Sequence, residues 1–86
     1  MKLNKDFLTH NTRGEAILIP AGGAAFSGVV RGNKTLGAIL ELLKTETTTE
    51  EIISAMKARF DASEDIIRRD VEKVLSELRK IGALDE

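Results

Sequence analysis

Residues 63–82 carry a helical repeat that the rest of the chain has to cover. Ile67, Val71, Val74, Leu78 and Ile81 recur at intervals of four and three, which places them on one stripe of an α-helix, and Leu75 widens that stripe on one side. Charged and polar residues, among them Arg68, Arg69, Glu72, Lys73, Glu77, Arg79 and Lys80, fill the remaining surface. Both ends are punctuated. Ser63 suits an N-cap, with Glu64 and Asp65 in the turn where negative charge opposes the helix dipole. Arg79 and Lys80 fall in the last turn, and Gly82 follows where a left-handed residue closes a helix. A helix with one apolar stripe is stable only against a partner, so each other segment is read by what it brings to that stripe.

Two shorter helical patterns precede it. Asn33 caps a helix predicted to run to Lys44, with Leu36, Ile39, Leu40 and Leu43 on one face. Thr45, Glu46 and Thr47 break the pattern. Thr48 and Glu51 then have capping-box spacing at the start of a second helix reaching Phe60, with Ile52, Ile53, Met56 and Phe60 inward.

Ahead of residue 33 the period is two. Residues 7–11 form a weak strand candidate, and residues 11–14 a turn ending in Gly14. Residues 15–20 are a β-rich run that Pro20 ends, residues 21–23 a second turn, and residues 24–31 a third strand. Three short strands joined by tight turns predict an antiparallel meander, which needs a helix layer on one face. The tail is short, with Leu84 folding back onto the last turn. Residues 1–86 thus form a single α+β domain, a three-stranded antiparallel β-meander followed by three α-helices in a winged-helix-like arrangement.

Composition bounds the chemistry. The chain has 86 residues, 42% hydrophobic and 31% charged, with a formal net charge of −1. This is a globular composition without the basic excess of a phosphate-backbone binder. Cysteine is absent, which excludes disulfides, thiolate metal sites and thiol nucleophiles, and suits a reducing cytoplasm. No apolar run approaches the roughly 20 residues of a membrane span. The one histidine, His10, has no second ligand or base at a useful spacing, and no glycine cluster has P-loop form. An enzyme, a metal site and a cofactor are therefore not expected.

One feature points to a partner. Ala24, Ala25, Phe26, Ser27, Gly28 and Val29 carry no charge, and the first cation is Arg31. Edge strands are commonly blunted by lysine, proline or bulges, and a bare edge recruits another backbone. The residues alone divide evenly between an extended peptide at this edge and its being covered by a second copy or by the chain itself. A winged-helix DNA-binding or transcription-associated module is the alternative of a different class. Its second helix offers Lys57 and Arg59 against Glu50 and Glu51.

Three motifs, in order, resemble the PqqD-like family, the pyrroloquinoline quinone biosynthesis protein D proteins or precursor-peptide recognition elements. They are Asn33-Lys34-Thr35-Leu36 with Ile39-Leu40, then Thr48-Thr49-Glu50-Glu51-Ile52, then Asp70-Val71, Val74-Leu75, Leu78 and Gly82-Ala83-Leu84. The likeness covers residues 18–84. Two positions depart from the pattern: Gly32 stands where a large apolar residue is usual, and Lys44-Thr45 where an Asp-Gly turn is usual.

The resemblance implies a non-catalytic chaperone. It would bind the leader segment of a ribosomally made precursor peptide by strand addition and present it to a modifying enzyme, often of the radical-SAM type. The implied strand contribution is the main chain of Ala25, Phe26, Ser27, Gly28, Val29 and Val30. The implied helix contribution is the flank Arg68, Val71, Glu72, Leu75 and Arg79, with Leu75 as apolar floor and the arginines meeting acidic leader residues. Precursor, product class and maturase are not specified by the sequence.

Overall fold

In the computed structural model, residues 1–22 and 28–86 are described. Strand β1 is Lys2–Leu3, β2 Phe7–Thr12, β3 Glu15–Pro20 and β4 Val30–Gly32. Helices α1 (Lys34–Leu42), α2 (Thr49–Arg59) and α3 (Glu64–Lys80) follow, and β5 (Leu84–Asp85) ends the chain. The main sheet is antiparallel in the order β2-β3-β4.

Alternation along the strands makes one face of this sheet apolar and turns it towards the helices. Phe7, Ala16 and Leu18 are buried. The register sets Leu18 opposite both Thr9 and Val30, and Ala16 opposite Asn11 and Gly32. Leu36, Ala38, Ile39 and Leu40 of α1, Leu43 beyond it, and Ile52, Ile53 and Met56 of α2 complete the core with α3.

The three predicted N-caps are in place. Asn33 accepts from the backbone N–H of Thr35 and Leu36 (3.1 and 3.3 Å), Thr48 Oγ1 from Glu51 (3.1 Å) and Ser63 Oγ from Ile66 (3.4 Å). Each satisfies an amide that the helix itself leaves unpaired. Gly82, at φ +75°, follows α3. Helix α1 stops at Leu42, short of the expected Lys44: Leu43 is its C-cap, and the Lys44 amide donates to the Glu41 carbonyl (3.2 Å), three residues back rather than four.

The third strand differs from expectation. It runs Val30–Gly32, one residue past the predicted end, and neither Gly28 nor Val29 belongs to it. Gly28 has φ +123°, a conformation outside the extended region of L-residues. Ala24, Ala25, Phe26 and Ser27 lie outside the described residues.

A second, two-stranded sheet was not foreseen. Lys2 pairs with Asp85 and Leu3 with Leu84. Leu3 also donates to the Leu43 carbonyl (2.8 Å), Asn4 to that of Ala83 (2.7 Å), and Thr47 to that of Met1 (2.8 Å). Two-residue strands carry too little periodicity to be read from sequence.

The departure at Gly32 has a steric cause. A Cβ built there would lie 2.9 Å from Leu36 Cβ. The first turn of α1 thus presses Leu36 against the β4 backbone and occupies the room a side chain would need. Gly32→Ala is expected to destabilise the fold by about 1–3 kcal/mol, the usual range for overpacking, as measured by urea unfolding. An unchanged midpoint would show that Leu36 moves aside freely.

Candidate functional site

Two strands bound the main sheet, β2 and β4. Beside β4 a groove of about 400 Å³ separates the strand from α3. Val30, Arg31 and Gly32 form the sheet wall, and Asn33, Thr35 and Leu36 the end where α1 begins. Asp70, Lys73, Val74, Glu77, Leu78 and Ile81 form the helix wall. Leu36 and Leu78 are buried beneath it, while Val30, Val74 and Ile81 are half-buried and leave apolar surface open to the groove. Arg31 faces outward, with Nη1 3.6 Å from Glu15 Oε1.

The wall of α3 is not the flank read from sequence. The buried line of α3 is Ile67, Val71, Leu75 and Leu78. Val71 (0% exposed) and Leu75 (1%) are buried in the core, and neither lines this groove. Val74 and Ile81, read as central to the stripe, sit at its edge and face β4.

Arg68, Glu72 and Arg79 lie on the side away from the groove. Arg68 clamps α2, with Nη1 donating to Glu50 Oε2 (2.6 Å) and Nη2 to Glu50 Oε1 (2.9 Å). Its Nη2 also lies 3.6 Å from Glu64 Oε2. Arg79 Nε donates to Glu86 Oε1 at 2.9 Å. These bonds hold the carboxyls of Glu50 and Glu86 below the usual carboxylate range and raise both guanidinium groups. Glu64 is lowered chiefly by Lys57, whose Nζ donates to it at 2.8 Å, and less by Arg68.

The rotation of α3 about its axis has a simple origin. An apolar stripe this wide has two edges, one marked by Val74 and the other by Leu75. Packing of α2 on the Leu75 side leaves Val74 to the sheet edge. Complementary charges on α2 and α3, Glu50 with Arg68 and Lys57 with Glu64, were the sequence signal for that choice.

Of the other expected contributors, Gly28 and Val29 are exposed just ahead of β4, and Val30 lies in the groove. Apart from Asp70, the groove residues missed from sequence are Arg31, Gly32, Asn33, Thr35, Leu36, Lys73, Val74, Glu77, Leu78 and Ile81. Asp70, which had no assigned role, lines both this groove and a neighbouring cavity of about 200 Å³ that also borders Thr35, Met56 and Phe60. It brings a carboxylate to the start of α1, whose own first turn has no acidic residue.

The family model described as Coenzyme PQQ synthesis protein D (PqqD) matches residues 15–84. The chain belongs to the PqqD family. Two solved structures share its fold. One, described as TbiB1 in complex with the TbiA(beta) leader peptide, has a TM-score of 0.77 at 20% identity, covering 99% of this chain and 100% of that one. The other, lasso peptide synthetase B1 complexed with the leader peptide, has a TM-score of 0.73 at 13% identity, covering 95% and 93%. No curated protein matches the chain.

The PqqD match begins at Glu15, the first residue of β3, and ends at Leu84 in β5, so it spans both walls of the groove. His10 lies on the exposed face of the sheet opposite Ile17, away from the groove. Among the described residues no group of His, Asp and Glu is placed to hold a metal ion. Among the described residues no helix is long and apolar enough to cross a membrane.

Proposed function

We propose that this protein binds the leader segment of a ribosomally made precursor peptide as an added strand on β4 and presents it, without catalysis of its own, to a modifying enzyme of the radical-SAM type. The observation that carries this reading is the position of β4 at the edge of the sheet among the described residues, beside a groove with an apolar floor. An extended peptide there gains main-chain hydrogen bonds from the strand, while alternate side chains enter the groove and are selected by it. Membership of the PqqD family supports the reading, as do the leader peptides carried by both structural relatives. A nucleic-acid role draws less support, because Lys57 and Arg68 are engaged by Glu64 and Glu50 rather than free for phosphates.

The test is an amide-shift titration of labelled protein with the short peptides encoded beside its gene. The expected result is saturable shifts at Val30, Arg31 and Gly32 and along the groove side of α3, with a Kd below about 100 μM, near −5.5 kcal/mol. Shifts confined to the β2 edge, or none, would overturn the proposal. Sedimentation of the protein alone shows whether a second copy competes for the edge.

A further inference from the structure

The two flanks of α3 differ in how their charges are used. On the side away from β4, Arg68 and Arg79 are tied to carboxylates of the same chain. On the groove side Asp70, Lys73 and Glu77 have no ion-pair partner within 4 Å among the described residues. They follow one another along the rim in the order negative, positive, negative, above a floor that includes Val74 and Leu78.

We infer that this rim selects the guest: the groove takes an extended peptide with aliphatic side chains for the floor and an acidic residue between two basic ones for the rim. The inference rests on the strand-addition reading above. The rim order reads the same from either end, so the required pattern does not depend on the direction of the added strand. The rise of a helix, about 1.5 Å per residue, spreads the three charges over roughly 10 Å, the length of about three or four extended residues. A compact basic–acidic–basic pattern fits that span. Rim charges are partly solvated, so each governs selectivity and encounter more than total affinity.

The experiment is selection of a displayed random 12-residue peptide library on the wild-type protein and on the variant Asp70→Lys/Lys73→Glu/Glu77→Lys. Each pool is assigned to the groove by amide shifts at residues 30–32. The wild type is expected to enrich peptides with one acid flanked by bases, and the variant the reverse pattern. A wild-type peptide should bind the variant about ten- to a hundredfold more weakly at low salt, with the gap narrowing as salt rises. Groove-binding pools that show no charge pattern, or the same pattern from both proteins, would overturn the rim reading and leave the groove intact. Pools that fail to shift residues 30–32 would overturn the groove and the rim together.

Discussion

Val74→Lys is expected to leave a folded protein that binds its leader peptide at least about tenfold more weakly, a loss of about 1.4 kcal/mol or more. Val74 is half-buried at the groove side of α3, where it forms part of the apolar floor. A lysine there can lay its methylene stem along the floor and carry its ammonium to the rim, so the fold should lose no more than about 1 kcal/mol. The same stem fills the space that a leader side chain would enter. Ser76→Lys is the matched control, because it adds the same single charge at an exposed position of α3 outside the groove and should leave affinity unchanged. Fluorescence anisotropy with a labelled leader, alongside urea unfolding of each variant, checks both halves. Equal weakening by the two substitutions would mean that net charge, not the groove, governs binding.

Legibility in the sequence followed the size of each signal. The three helices announced themselves because each carries a cap side chain before a 3.6-residue apolar repeat, and Asn33, Thr48 and Ser63 all accept the expected amides. The strand order was readable because sequential short strands with tight turns have few alternatives. Gly28 was read as lying within a strand because composition alone does not reveal a positive φ. The pairing of β1 with β5 joins opposite ends of the chain and depends on the tertiary fold. The groove was little legible. On its strand side only Val30 of the expected residues lines it; Gly28 and Val29 precede the strand, and Ala25, Phe26 and Ser27 lie outside the described residues. On its helix side the groove is lined by Val74 and not by Leu75; the two are adjacent, and either can border the stripe. The contacts of α2 decide between them, and these lie in no local pattern.

That choice of flank makes Leu75 the sharper test of the fold. Leu75→Ala is expected to reduce stability by about 2–5 kcal/mol, since a fully buried leucine loses both its transfer free energy and its packing contacts. A domain of this length has roughly 4–13 kcal/mol in total, so the variant sits near the limit of folding. Leu75→Met keeps most of the volume and should cost less than about 1.5 kcal/mol, which secures a folded comparison. In both variants the folded fraction should bind the leader with wild-type affinity, because Leu75 touches no part of the groove. Urea unfolding gives the first quantity. A titration at low temperature, corrected for the unfolded fraction, gives the second. A Leu75→Met protein of near-native stability that bound its leader poorly would show that α3 presents the Leu75 flank to the peptide, and would reverse the placement of the two walls.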